Sequence, residues 1–223
     1  MATILITGAN RGIGLALTRL YRARGDEVIA LCRSSSAELD GTGARIETGI
    51  DVAGGAAVTA LPQRLADVGI DLLILIAGIF TNEVLGALDE AAFEAIRRQF
   101  EVNTLGPLRV VEALRGQLAD GGRIGIITSR MGSMADNGSG GYYGYRASKA
   151  AVNAVGKSLA VDLAPRGIAV ALLHPGFVAT EMVGGKGDVS PEQAAQGLAE
   201  RLDGLTLSHS GSFWHANGSL LPW

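Results

Sequence analysis

Tyr145 and Lys149 are the residues of this sequence whose types and spacing most directly indicate chemistry. They lie four residues apart in the stretch 143–164, which has helical spacing, so their side chains share one helix face. An opposite charge within about 4 to 6 Å lowers a pKa by ~1 to 3, and an ammonium therefore favours a phenolate. The pair predicts a tyrosine that exchanges protons near neutral pH. Tyr142 and Tyr143 lie nearby, but only Tyr145 is followed four residues later by a lysine.

A glycine-rich segment between the first predicted strand and the first predicted helix is the second chemical feature. It contains Gly8, Asn10, Arg11, Gly12, Ile13 and Gly14. Glycines let a backbone turn sharply and approach a ligand closely. A helix N-terminus adds free N–H groups and about half a positive charge. The segment therefore predicts a binding site for the pyrophosphate of a dinucleotide.

Apolar runs alternate with helical patterns along the whole chain. The runs 3–7, 27–32, 44–50, 71–76, 122–128, 168–173 and 212–216 predict strands, and the stretches 12–24, 56–68, 90–118 and 143–164 predict helices. This alternation is typical of a single Rossmann-type α/β domain, 1–223, with a doubly wound parallel sheet of about seven strands. Ligands of such sheets bind beyond the carboxyl ends of the strands. Asn217-Gly218 predicts a turn after the last strand.

Composition excludes several other classes of function. The formal charge of -3 and the absence of a basic run argue against nucleic acid as a partner. The most apolar run, 70–80, is far shorter than the roughly 20 residues of a membrane span, and the N-terminus lacks a signal peptide pattern. Cys32 is the only cysteine, which is typical of a reducing cytoplasm. The three histidines have no metal-ligand spacing, so no metal site is expected.

The order of further residues resembles the short-chain dehydrogenase/reductase family over nearly the whole chain. The glycine segment has the spacing Gly-x-x-x-Gly-x-Gly, and it is followed by Asp51-Val52, Ala77-Gly78, Asn103, Ser129, Tyr145-x-x-x-Lys149 and Pro175-Gly176-x-Val178-x-Thr180. Within the family, the chain resembles the small carbonyl-reductase-like branch that includes the sniffer and C-factor types. The matching segments are Gly-Ala-Asn-Arg-Gly-Ile-Gly, Cys-Arg after the second strand, and Gly-Tyr-Tyr-Gly-Tyr-Arg-Ala-Ser-Lys.

The resemblance implies catalytic roles for four residues. Tyr145 would donate a proton to a carbonyl oxygen that Ser129 holds, while Lys149 would also hold the nicotinamide ribose. Asn103 would position a water molecule in a proton relay. Ser133 competes with Ser129, but Ser129 directly follows the predicted strand, which is the usual family position. Acid–base help of this kind is typically worth ~10² to 10⁴ in rate.

The end of the second strand predicts NADP(H) rather than NAD(H) as the cofactor. An NAD enzyme would place an acid on the ribose 2′-hydroxyl at this point, whereas this chain has Arg33. Arg33 and Arg11 offer fixed cations for a 2′-phosphate, although surface arginines need no such role. By resemblance, Asp51 and Val52 contact the adenine. The resemblance assigns further cofactor contacts to Ile13, Ala77, Gly78, Asn103, Tyr145, Pro175, Gly176, Val178 and Thr180.

Two segments depart from the family pattern or vary within it. The family commonly has an asparagine amide before Ala77-Gly78, but this chain has Leu75-Ile76. Backbone pairing and isoleucine packing are expected to replace the hydrogen bonds of that amide. The segment 181–190, called the lid segment below, is predicted to form a short lid over the substrate, and the glycine-rich loop 131–141 is predicted to form a wall of the substrate site.

Together these features predict an NADPH-dependent oxidoreductase that reduces an aldehyde, ketone or quinone to an alcohol. The alternative is a dinucleotide-binding signalling or scaffold protein with little turnover. The intact set of Ser129, Tyr145 and Lys149 argues against that alternative. The resemblance also implies a homodimer or homotetramer formed through the stretches 90–118 and 143–164, although their small residues fit packing on the sheet equally well.

Overall fold

The computed structural model describes residues 1–223 and contains one seven-stranded sheet. The strands are β1 (Thr3–Thr7), β2 (Glu27–Leu31), β3 (Arg45–Glu47), β4 (Ile70–Leu75), β5 (Leu118–Ile127), β6 (Ala169–His174) and β7 (Ser212–His215). Their order is β3-β2-β1-β4-β5-β6-β7, and all neighbouring pairs are parallel. Strand order reverses between β1 and β4, so their carboxyl ends border a crevice. The predicted fold class is confirmed.

The central strand β1 is apolar through its interior, and both of its faces are covered. In β1, Leu5 packs into a core on one face, whereas Ile4 and Ile6 pack into a second core on the opposite face. All three side chains are buried. Alternation of side chains between the two faces requires this continuous apolar pattern in a doubly covered parallel strand.

Eight α-helices cover the sheet. They are α1 (Gly12–Ala23), α2 (Ala37–Asp40), α3 (Gly55–Thr59), α4 (Leu61–Arg64), α5 (Glu90–Phe100), α6 (Gly106–Leu114), α7 (Tyr143–Leu163) and α8 (Pro191–Asp203). Buried residues of α1, α2 and α8 belong to one core, and those of α3, α4, α6 and α7 belong to the other. The two layers therefore shield the sheet on both sides.

Two predicted helices are interrupted at prolines. The single helix expected over 56–68 is wrong, because α3 ends at Thr59 and Pro62 lies in the first turn of α4. Pro62 has no N–H to continue the hydrogen bonding of α3. The helix expected over 90–118 divides into α5, a π-helical turn (Glu101–Leu105) and α6. Pro107 cannot donate to the carbonyl of Asn103, four residues earlier, which is consistent with the wider turn at this point.

Glycines with positive φ end β3 and form the turn after β7. The strand expected over 44–50 is shorter, because Gly49 has a φ of +77° and turns the chain. The turn predicted at Asn217-Gly218 is confirmed, since Gly218 has a φ of +95° and the His215 N–H donates to the Ser219 carbonyl at 2.8 Å. No helix combines the length and apolar character that a membrane crossing requires.

Candidate active site

A pocket of about 450 Å³ opens at the carboxyl edge of the sheet, across the point where strand order reverses. Most of the predicted cofactor residues line it. These are Gly8, Asn10, Arg11, Gly12, Ile13, Gly14, Arg33, Asp51, Val52, Ala77, Gly78, Tyr145, Lys149, Pro175 and Thr180. Residues that follow several different strands thus converge on one cavity, as the topology requires.

The glycine segment forms a tight turn into α1 that other residue types would strain. Gly8 and Gly12 have φ values of +66° and +53°, in the region that favours glycine. A Cβ on Gly14 would lie 2.3 Å from the carbonyl oxygen of Gly8, so α1 packs directly against the turn. No side chain caps the N-terminus of α1, and its first turn contains no acid. Its N–H groups therefore suit an anionic ligand from the pocket.

The two arginines predicted for a 2′-phosphate lie in different surroundings. Arg11 forms an ion pair with Glu181, which follows Thr180 in the lid segment. Arg33 is exposed at the end of β2, where its charge helps to lower the pKa of Asp51. Arg33 is thus the guanidinium on the Asp51 side of the pocket, and Arg11 lies on the lid side.

Asp51 is held as an ionised acceptor at the rim of the pocket. It accepts hydrogen bonds from the Ala53 N–H at 3.0 Å and from Arg98 at 3.0 Å. Burial acts to raise the pKa of Asp51, but these two bonds outweigh burial and hold that pKa below its usual range. Sequence reasoning missed Arg98, because the neighbouring Arg97 has the same local pattern on α5 and pairs only with glutamates on that helix.

The departure at Leu75-Ile76 is accommodated by a hydroxyl from β1. Thr7 Oγ1 accepts hydrogen bonds from the N–H groups of Ile76, at 3.0 Å, and Ala77, at 3.3 Å. A side-chain bond between neighbouring strands therefore exists here without the family amide. The sequence offered no sign of it, since a threonine at the end of a strand is common.

Asn103 lies in the π-helical turn and is buried behind the pocket wall. Its side chain exchanges two hydrogen bonds of 2.9 Å with the backbone of Ile79 and donates to Ser148 Oγ at 3.0 Å. Ser148 is next to Lys149, so the amide of Asn103 ties the loop after β4 to α7. Asn103 itself does not line the pocket.

Ser129, Tyr145 and Lys149 lie close together beside the pocket, which Tyr145 and Lys149 line and Ser129 does not. Ser129 is near enough to the Tyr145 hydroxyl to act on the pKa of that group, and Lys149 Nζ lies 5.7 Å from the centre of the Tyr145 ring. Lys149 Nζ donates to the Ile127 carbonyl at 2.9 Å. The competing Ser133 Oγ accepts from the Asp136 N–H at 3.1 Å and so bonds within its own loop.

The protonation of this pair differs from the expectation. Burial raises the pKa of Tyr145 to about 12, and the hydrogen bond with Ser129 only partly opposes it. Burial also lowers the pKa of Lys149 to about 8. Lowering of the Tyr145 pKa by Lys149 is therefore not the dominant effect, because desolvation disfavours both charged forms. Burial therefore favours the neutral phenol.

The segment after β6 places Pro175 and Thr180 on the pocket but not Gly176 or Val178. Gly176 has a φ of +97°, which turns the chain away from β6. Val178 is buried and pairs with Val189 in an isolated parallel bridge. That bridge closes the base of the lid segment, whose residues Glu181 and Met182 also line the pocket.

The fold and this site define a member of the short-chain dehydrogenase family, to which the chain belongs. The model of the short chain dehydrogenase family matches residues 2–189. The chain is therefore an oxidoreductase. It is 44% identical, over all of both proteins, to the 1-hydroxy-2-glutathionyl-2-methyl-3-butene dehydrogenase of Rhodococcus sp. (strain AD45).

Solved structures agree with the predicted branch of the family. The NADPH-bound carbonyl reductase from chicken fatty liver has a TM-score of 0.89 and 27% identity, covering 100% of this chain and 99% of that one. The carbonyl reductase Sniffer of D. melanogaster has a TM-score of 0.90 and 27% identity, covering 100% of both. The predicted resemblance to carbonyl-reductase-like proteins is confirmed.

Proposed function

We propose that the chain is an NADPH-dependent carbonyl reductase in which Tyr145 is the proton donor. The observation that carries this proposal is the placement of Tyr145 beside Ser129 and Lys149, at a pocket that most of the predicted cofactor residues line. Burial raises the pKa of Tyr145 to about 12 and so favours the neutral phenol, which is the form that a proton donor requires.

The residues present fit NADP(H). The uncapped N-terminus of α1 and its glycine turn suit the pyrophosphate, Arg33 suits a 2′-phosphate, and the ionised Asp51 suits the adenine amino group. Val52, Ala77, Gly78, Pro175 and Thr180 supply the remaining walls. Bound NADPH supplies the hydride for the reaction.

The chain's own residues then act on the substrate oxygen. Ser129 holds the carbonyl oxygen beside the Tyr145 hydroxyl, and Tyr145 donates its proton as negative charge develops on that oxygen. Lys149 favours the resulting phenolate through its charge and holds the ribose. The side chain of Asn103 is fully bonded to Ile79 and Ser148, so a water for proton return at Asn103 would be held by its backbone. Lys149 is buried and Tyr145 is partly buried, and low local polarity strengthens the interaction between their charges.

A screen of NADPH oxidation over aldehydes, ketones and quinones tests this function. Tyr145→Phe is expected to bind NADPH normally and to lose at least about 10²-fold in kcat. Tyr143→Phe is the matched control, because Tyr143 is an exposed tyrosine at the start of the same helix. Tight NADPH binding without turnover on any compound would instead favour the signalling or scaffold alternative.

A second direction of reaction, alcohol oxidation, is favoured by the 44% identical relative, whose name describes a dehydrogenase of a glutathionyl compound. The same pocket and residues serve both directions. The screen therefore includes NADP⁺ reduction with alcohols, among them glutathione conjugates that carry a hydroxyl group. Turnover of such alcohols with NADP⁺, and none of carbonyl compounds with NADPH, would favour this second direction over carbonyl reduction.

Cofactor preference has its own test. Arg33→Ala is expected to lower kcat/KM for NADPH by about 10- to 100-fold and to leave that for NADH unchanged, because one charge-assisted bond is worth about 1.5 to 3 kcal/mol. Arg19→Ala, at an exposed arginine of α1 that does not line the pocket, is the control. Equal or better use of NADH by the unmodified protein would rule out the preference.

We infer that the protein acts as a homodimer or homotetramer in the cytoplasm. Ala147 and Ala154 of α7 are exposed rather than packed on the sheet, and Val161 extends the same face with 64% exposure. Small and apolar residues on an exposed helix face suit close contact with a second copy. Light scattering tests the assembly, and a monomer at micromolar concentration would refute it. The unpaired Cys32 agrees with a reducing compartment.

A further inference from the structure

The start of α7, which bears Tyr145, is capped by a residue 61 positions away in the sequence. The N-cap residue Tyr142 has a φ of +52° and makes no side-chain cap hydrogen bond. The Gly144 N–H instead donates to Glu83 Oε2 at 3.0 Å. Glu83 lies in the loop 76–89, between β4 and α5. A carboxylate at a helix N-terminus both satisfies a free N–H and complements the helix dipole.

The carboxylate of Glu83 is buried and accepts from three donors. It is 4% exposed, and Oε1 accepts from the Thr81 hydroxyl and from Gln99 Nε2, the latter at 2.7 Å. Gln99 is fully buried on α5, and its Oε1 accepts from the Thr81 N–H at 3.2 Å. Since every partner of Glu83 is a donor, only a carboxylate with two accepting oxygens satisfies all of them.

The same loop also contacts the ring of Tyr145. Phe80 packs edge-on against Tyr145 with 5.0 Å between ring centres, and it packs against Tyr142 at 5.5 Å. The loop therefore holds both the backbone turn that precedes Tyr145 and the aromatic ring itself. Gly144 packs closely against α5, because a Cβ there would lie 2.3 Å from Gln99 Nε2.

We propose that Glu83 is a positioning residue for catalysis, which fixes the first turn of α7 so that the Tyr145 hydroxyl faces Ser129. This inference rests on the proposed role of Tyr145 as proton donor. Glu83 does not line the pocket, and its hydrogen-bond partners are Thr81, Gln99 and Gly144. Its effect on the reaction passes through the Gly144 N–H and the Phe80–Tyr145 contact. A displacement of about 1 Å at a reacting group costs on the order of 10²-fold in rate.

Glu83→Gln tests the proposal at nearly constant shape. The new amide group places an N–H donor opposite either Gly144 or Gln99, so one bond of the network is lost. We expect kcat to fall by about 10- to 100-fold while KM for NADPH changes by less than about twofold. Asp71→Asn is the matched control, because Asp71 accepts the Thr3 N–H at 2.8 Å at the amino ends of β1 and β4, away from the pocket at their carboxyl ends.

A reversed pair, Glu83→Gln with Gln99→Glu, provides the rescue. The carboxylate introduced at position 99 would accept from the Thr81 N–H and from the amide introduced at position 83. The oxygen of that amide would then remain free to accept from the Gly144 N–H. We expect the double variant to regain kcat to within about threefold of the parent, because every bond to Gly144 and Thr81 N–H groups is restored. This comparison also applies if Glu83→Gln alone does not fold.

Two outcomes would overturn the proposal. One is a folded Glu83→Gln protein with unchanged kcat, and the other is a folded double variant whose kcat stays more than about tenfold below the parent. A loss of thermal stability without a loss of kcat would show a structural role only. Failure of the proposed function is distinguishable, because Tyr145→Phe would then remain active whatever Glu83→Gln does.

Discussion

Replacing Lys149 by methionine should stabilise the cofactor-free protein at neutral pH while removing its activity. Burial lowers the pKa of Lys149 from 10.5 to about 8, so between these values the folded state binds fewer protons than the unfolded state. Stability then rises with pH across that window, because the unfolded chain holds the extra proton. Below pH 8 the folded protein therefore carries the full cost of a buried ammonium.

The magnitude follows from the two pKa values. The difference between 10.5 and about 8 corresponds to about 3 kcal/mol at pH 7, and the remaining cost at pH 9.5 is about 1 kcal/mol. Methionine matches lysine in length but cannot donate to the Ile127 carbonyl, which costs about 1 to 3 kcal/mol at any pH. The lost hydrogen bond costs the same at both pH values, so it cancels when they are compared. The stability difference between variant and parent should therefore change by about 2 kcal/mol from pH 7 to pH 9.5, and this change measures the effect of the charge alone.

Urea unfolding of parent and variant at pH 7.0 and 9.5 provides the measurement. We expect Lys149→Met to gain up to about 2 kcal/mol relative to the parent at pH 7.0 and to lose that advantage at pH 9.5. Lys157→Met, at an exposed lysine of the same helix, is the control and should show no comparable pH dependence. A difference between variant and parent that stays constant with pH would refute the reasoning.

Two further predictions concern the cofactor end of the pocket. Arg98→Ala should weaken NADPH binding by about two- to fivefold in a fluorescence titration, because the half-exposed ion pair of Arg98 with Asp51 is worth under about 1 kcal/mol. An equal effect of Arg97→Ala would contradict this prediction. Gly14→Ala should lower the free energy of unfolding by about 1 to 3 kcal/mol, because the added Cβ meets the Gly8 carbonyl. Gly55→Ala is the control, because no atom lies within 4 Å of a Cβ added there, and it should be neutral or slightly stabilising. Similar losses of stability in the two variants would refute the role of the contact with Gly8.

The sheet was predictable from sequence because its signals are local. An apolar run such as Thr3–Thr7 and the glycines after it determine a strand, a turn and a helix start within a few residues. The helix interruptions were harder to predict, although the sequence contains Pro62 and Pro107 at these points. A helical pattern of apolar residues continues across a proline, so periodicity alone does not reveal where hydrogen bonding breaks.

The walls of the site could be predicted only where residues lie shortly after the end of a strand. Arg33 lies two residues after β2 and Asp51 four residues after β3, and both line the pocket. Arg98 and Glu83 act through partners 47 and 61 positions away, and neither occurs in a pattern that distinguishes it from a surface charge. Their roles depend on which elements the folded chain brings together, which spacing along the sequence does not contain.

The proposed catalytic pair illustrates why spacing on one helix is insufficient. Tyr145 and Lys149 share a face of α7, yet burial opposes the charged form of each. The groups that hold them come from elsewhere: the Ile127 carbonyl from β5, Ser129 from the loop after it, and Glu83 from the loop 76–89. A solvent-exposed helix with the same two residues would have neither the low lysine pKa nor the fixed phenol. The chemistry therefore belongs to the sheet edge and its loops as much as to the helix.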